Sequence, residues 1–147
     1  MRQLITTLAV AFLGFTAMAQ EKPENPNAPT IDFETEVVDY GTVEKGGDGV
    51  REFRFTNNGK EPLIITSARG SCGCTVPSWP KEPIAPGESG VIRVKYDTQR
   101  PGPINKSVTV NSNAKTPVKV LRIKGQVTNP AKVKTTPEKE KSSMMAK

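Results

Sequence analysis

Between Ile31 and Val127, apolar and polar residues alternate in short runs, and no stretch carries the three-to-four spacing of an amphipathic helix. Phe53 and Phe55 alternate with Glu52, Arg54 and Thr56. Ile92, Val94 and Tyr96 alternate with Arg93 and Lys95, and Val108 and Val110 with Ser107 and Thr109. A period of two with aromatic and β-branched residues on one side marks strands that bury one face. Leu63-Ile64-Ile65 is too short and too uniformly apolar to assign a face. Val118 and Val120 fall in one phase while Leu121 and Ile123 fall in the other, which predicts a β-bulge near Val120 or Leu121.

Turn residues separate these runs at regular intervals. Asn58-Gly59 lies between the Phe53 and Leu63 runs and reads as a hairpin, because both residues tolerate positive φ. Pro86-Gly87 predicts a type II turn, with proline setting φ at the first central position and glycine accepting positive φ at the second. Gly46-Gly47-Asp48-Gly49 and Pro101-Gly102-Pro103 make further corners. The glycine cluster lacks the Lys-Ser or Lys-Thr and the helix that a phosphate loop requires, so it reads as a turn. About seven strands follow, at residues 33–38, 50–57, 62–69, 74–79, 89–97, 104–111 and 117–127. That number of short strands predicts an all-β, immunoglobulin-like antiparallel β-sandwich over residues 31–127.

The flanks read differently. Arg2, the apolar run Leu4 to Phe15 and the small-x-small triplet Ala17-Met18-Ala19 predict a secretory signal over residues 1–19, cut after Ala19. The apolar run is shorter than the ~20 residues that span a bilayer, so no transmembrane anchor is expected. A periplasmic or secreted protein follows. Residues 20–30 carry prolines at 23, 26 and 29 and read as an extended linker. Residues 128–147 hold five lysines, two glutamates and little apolar content, and read as a disordered basic tail.

The chain has no histidine among its 147 residues. That excludes Ser-His-Asp and Cys-His nucleophile pairs, imidazole zinc sites and a histidine pH switch. The formal charge of +6 owes +3 to the tail, leaving the body nearly neutral, so nucleic acid is not an expected partner. Asn105-Lys106-Ser107 forms a glycosylation triplet whose use depends on the host. No catalytic residue set emerges, and a non-enzyme is expected.

Chemistry is left to Cys72 and Cys74, the only two cysteines, one residue apart around Gly73. Export makes a disulfide the default. A bridge across so short a loop restricts the unfolded chain by only ~1.6 kcal/mol, against ~4 for the inter-sheet bridge of antibody domains. Its effect would be local. Three readings stay open: a local disulfide without chemistry, redox exchange or an intermolecular bridge, and Cu(I) held by two thiolates. Arg69 is the one cation near in sequence that would favour a thiolate. Trp79 either fills core or faces a ligand, and Pro77 and Pro80 mark an edge or irregular strand.

Taken together, FRFTNNGKEPLIITSARGSCGCTVPSWPKEPIAPGESGVIRVKYDT, PGPINKSVTVNSN and LRIKGQV resemble the bacterial family of domain of unknown function 1573, common in exported proteins of Bacteroidetes. The resemblance spans Phe33 to Val127 and is most specific at Ser71 to Thr75 and at the Ile84-Ala85-Pro86-Gly87-Glu88-Ser89 turn. It implies likeness to PapD, major-sperm-protein and Hydin modules, which mostly bind other proteins. It marks Cys72, Gly73, Cys74 and Thr75 as the functional loop. A non-catalytic protein-binding or scaffolding module with an unidentified protein partner is therefore expected, with no cofactor. The alternative is thiol exchange or Cu(I) binding at Cys72 and Cys74.

Overall fold

The structure, a computed structural model, describes residues 23–130. The leader and most of the basic tail lie outside the described residues. Eight strands form: β1 (Asp32–Phe33), β2 (Val37–Glu44), β3 (Val50–Thr56), β4 (Ile65–Gly70), β5 (Thr75–Ser78), β6 (Ser89–Tyr96), β7 (Gly102–Ser112) and β8 (Val118–Thr128). They build two four-stranded sheets, ordered β1-β3-β6-β5 and β2-β8-β7-β4. The inner faces bury Phe53, Phe55, Ile92 and Val94 from one sheet against Val108, Val110, Leu121, Ile123 and Val127 from the other. Each of these side chains contributes ~1.5–3 kcal/mol by leaving water, so the alternation read from sequence is what joins the layers. Among the described residues, no helix is long and apolar enough to cross a membrane.

The β-sandwich is as the alternation predicted, with differences in detail. The segment expected as one strand over 33–38 changes sheets, giving β1 on β3 and β2 on β8. The β2–β8 pairing is parallel, unlike every other pairing. Strand order produces this, because the chain reaches the far sheet without reversing direction.

No hairpin forms at Asn58-Gly59. β3 and β4 lie in different sheets, so this segment crosses between layers. Gly59 is not at positive φ; it is glycine because a Cβ would collide with the Pro29 backbone. The neighbouring Asn57, fully buried, organises the crossing. Its Oδ1 accepts from the N–H of Thr30 and Gly59, and its Nδ2 donates to the carbonyls of Glu61 and Ile84. Pro29, assigned by sequence to the linker, is buried there as well, with its carbonyl accepting from Lys115 N.

The bulge predicted near Val120 is absent. β8 keeps one register along β7, and Val118 and Val120 face outward at 50% and 44% exposure. Irregularities lie instead in β2 between Asp39 and Thr42, where Gly41 has φ of 63°, and in β4 between Ile65 and Ser67. The turn at Pro86-Gly87 is of the expected kind, with Gly87 at φ 80° and Glu88 N donating to Ala85 O at 3.0 Å.

Tyr40, on the bulged part of β2, joins the two sheets. Its hydroxyl donates to the Val94 carbonyl at 3.0 Å, and the Arg51 guanidinium lies 4.7 Å from its ring centre. Burial pushes the phenol up to about 12, with Arg51 opposing the shift and Asp48 adding to it.

Two outcomes follow from these buried polar contacts. Asn57→Ala orphans the N–H groups of Thr30 and Gly59 and the Glu61 carbonyl, while the Ile84 carbonyl keeps Leu63 N, and is expected to lower the unfolding free energy by about 2–4 kcal/mol in urea melts. A phenol titrating higher in the folded state contributes stability that is complete below its unfolded value near 10 and is lost as pH rises through about 12. Wild type is therefore expected to be more stable than Tyr40→Phe at pH 8, with the gap narrowing above pH 10 and smallest near pH 12 in the same melts.

Candidate functional site

Four strands lie at sheet edges: β1, β5, β2 and β4. Along an edge, alternate residues direct their N–H and C=O away from the ladder, where another chain can pair with them. β1 is only two residues long.

In β5 the parity is set by β6. Tyr96 N donates to Gly49 O on the β3 side, so Tyr96 and Val94 face β3 while Lys95 faces β5. Val76 opposite Lys95 thus pairs inward, and Thr75 and Pro77 point their backbone groups out. Thr75 N is bonded to the Cys72 carbonyl and Pro77 has no N–H. The edge therefore has no free donor at either position.

In β2 the residue aimed outward is Val37, since Arg122 N on β8 donates to the preceding Glu36 carbonyl. The Thr35 hydroxyl takes both Val37 groups, accepting from its N–H and donating to its carbonyl. Further along, the left-handed Gly41 breaks the line of the strand. That edge is thus closed at Val37 and bent at Gly41.

β4 is different. Ser71 N donates to Ser107 O, and the continuous register places Arg69 opposite Thr109 and Ser67 opposite Asn111 as bonded pairs. Ala68 and Gly70 therefore direct their N–H and C=O away from β7. Ala68 as a whole is buried at 6% exposure. Arg69 beside it is exposed and has no ion-pair partner among the described residues.

β4 leads directly into the Cys72-Gly73-Cys74 turn, which carries the chain across to β5. Cys72 and Cys74 form a disulfide, with Cα atoms 5.2 Å apart. Thr75 N donates to Cys72 O at 3.2 Å, and Asp97 N donates to Cys74 O at 2.8 Å. At the corner itself, a Cβ on Gly70 would overlap the Thr75 carbonyl. Cys74 is buried at 5% exposure and Cys72 is half-buried. The Thr75 hydroxyl, on a residue 2% exposed, has only the two sulfurs as partners, each at 3.7 Å.

Cys72, Gly73, Cys74 and Thr75 thus form one unit. Trp79 does not belong to it. It follows the end of β5, at ~3.3 Å per residue of extended strand from the turn, and packs its ring partly on the core. Lys81 Nζ covers the ring at 3.2 Å from its centre, and Trp79 Nε1 is buried without a hydrogen-bond partner. Gly73 also departs from expectation. Its φ is not in the left-handed region, and a Cβ there would meet nothing within 4 Å, so the ring geometry does not demand glycine.

Among the described residues, no three His, Cys, Asp or Glu side chains cluster as a metal site. Two cysteine sulfurs that are bonded to one another offer no thiolates, so Cu(I) would require the reduced pair. Sequence reasoning missed Ala68 and Thr75's role toward both sulfurs. Edge status depends on strand order, and a small residue within an apolar strand carries no mark of it.

The model of the family described as protein of unknown function (DUF1573) matches residues 31–127. No curated protein matches the chain. Among solved structures, a protein of unknown function from Porphyromonas gingivalis W83 superposes with TM-score 0.62 at 20% identity. The match covers 72% of this chain and 51% of that one, so the chain spans about half the length of the Porphyromonas protein. The ASH/PapD-like domain 7 of human CEP192 gives TM-score 0.56 at 11% identity, over 87% of this chain and 99% of that domain. The VesB protease of Vibrio cholerae gives 0.50 at 20% identity, over 69% of this chain and 32% of the protease. These likenesses show a PapD-like immunoglobulin fold.

The bridged turn makes a stability prediction. Cys72→Ser with Cys74→Ser is expected to leave the sandwich folded and to cost less than ~2 kcal/mol in urea melts, because so short a loop barely restricts the unfolded chain. A larger loss would assign the bridge a global structural role.

Proposed function

The chain belongs to the DUF1573 family, and from that premise we propose that it is a non-catalytic protein-binding module that captures an extended segment along the free edge of β4. The observation that carries this reading is the state of the edges. β1 is short, β5 offers no free donor, β2 is closed at Val37 and bent at Gly41, and β4 directs the Ala68 N–H and C=O away from β7 on a residue that is itself 6% exposed. A segment adding there gains main-chain hydrogen bonds for affinity, while flanking side chains select its sequence. Arg69, exposed and unpaired beside the edge, favours a partner with a carboxylate at the facing position. The PapD-like fold supports binding over catalysis, and the lack of histidine removes the commonest general base. The leader-like residues 1–19 support an exported module, periplasmic or secreted.

The test uses displayed peptides of about eight residues, selected on the folded domain and mapped by backbone amide NMR. Binding at β4 is expected to shift the Ala68 and Gly70 amides and to protect them from exchange. Ala68→Pro, which removes the edge donor, is expected to weaken binding at least tenfold, with circular dichroism showing an intact fold. Arg69→Glu is expected to weaken acidic peptides selectively. Binders that leave the β4 amides unmoved would refute the edge reading.

A further inference from the structure

The Thr75 hydroxyl is a buried donor with an unusual choice of partners. In the bridged state neither sulfur carries a hydrogen, so the donor is the single hydrogen of the hydroxyl, shared between two sulfurs each at 3.7 Å. A disulfide sulfur is a weak acceptor, whereas a thiolate is a strong one. Opening the bridge would therefore strengthen a hydrogen bond that is already in place. The two cysteines also differ: Cys72 is half-buried and Cys74 is buried, with its carbonyl held by Asp97 N. Gly73 adds a third observation. Since its backbone does not need glycine, the consequence of the missing side chain is open space beside the bridge.

From these we infer that Cys72–Cys74 is an exchangeable disulfide that accepts electrons from a pair of cysteine thiols on a protein substrate. A substrate thiolate attacks Cys72 Sγ, forming a mixed disulfide as the Cys72–Cys74 bond breaks. Cys74 leaves as a thiolate, stabilised by the Thr75 hydroxyl. The substrate's second thiolate then attacks its own bridged sulfur and releases Cys72 as a thiolate. The substrate ends as a disulfide, and Cys72 and Cys74 end as thiols. Two electrons and two protons have moved to this chain in a single stoichiometric turnover. Such exchange suits a bridge that contributes little to global stability, because opening it leaves the sandwich folded. It does not depend on strand addition at β4.

Equilibration of the folded domain with reduced and oxidised glutathione tests this, with acid quenching, alkylation and mass analysis. Excess reduced glutathione is expected to open the bridge while circular dichroism is unchanged. The transient glutathione adduct is expected on Cys72. Thr75→Val, which keeps the shape and removes the hydroxyl, is expected to shift the equilibrium toward the disulfide by about five- to tenfold. Gly73→Val is expected to slow opening without moving the equilibrium. A bridge that resists excess reduced glutathione would overturn the proposal, as would an adduct on Cys74 or a Thr75→Val equilibrium equal to wild type. A dithiol peptide as the second probe is expected to be oxidised by one equivalent of the domain; a peptide left reduced would also overturn it.

Discussion

Two open four-stranded sheets leave four edges, and every second residue on an edge strand holds an N–H and a C=O away from the ladder. The molecule answers that constraint with a different local device at each place. Pro77 deletes a donor on β5, and the Thr75 amide turns back to Cys72 O. The Thr35 hydroxyl occupies both groups of Val37 on β2, while Gly41 bends the strand out of line. Each device is local, and β4 carries one of its own in the register shift between Ile65 and Ser67. Beyond that shift, Ala68 directs its N–H and C=O away from β7.

The same constraint explains the placing of the cysteine turn. β4 and β5 are the adjacent edges of the two sheets, and the chain crosses between them in the few residues from Ser71 to Cys74. Gly70 lets the corner close, because any Cβ would meet the Thr75 carbonyl. The bridge, the Thr75 amide and the Asp97 amide then hold the crossing. The bridge and the β4 edge are consequently neighbours in space, though each rests on its own contacts. Far from this turn, buried Asn57 serves the crossing from β3 to β4 with four satisfied hydrogen bonds. Both crossings on the β4 side are thus fixed by polar groups, while apolar packing fixes the layers themselves.

Much of the architecture was legible along the chain. Alternation at Phe53 and Phe55, at Ile92 and Val94, and at Val108 and Val110 identified inward residues that are indeed buried. Pro86-Gly87 foretold its turn, because the φ preferences of those two residues are intrinsic. The Asn58-Gly59 expectation failed for an instructive reason. The dipeptide permits a hairpin but does not require one, and here tertiary contact with Pro29 is what needs the glycine. Val118 and Val120 misled in a similar way, as β-branched residues suit an exposed strand face as well as a buried one.

Sequence by itself determined the all-β class and the position of the only sulfur pair, because periodicity and residue inventory are local properties. Which strands lie at edges was decided only in three dimensions, since edge status depends on which segments pair across long separations. The parallel β2–β8 pairing, the Ala68 backbone directed away from β7 and the hydroxyl of Thr75 set between two sulfurs all follow from that pairing. None of them leaves a periodic trace, because each comes from residues that meet only after the sheets have closed on one another.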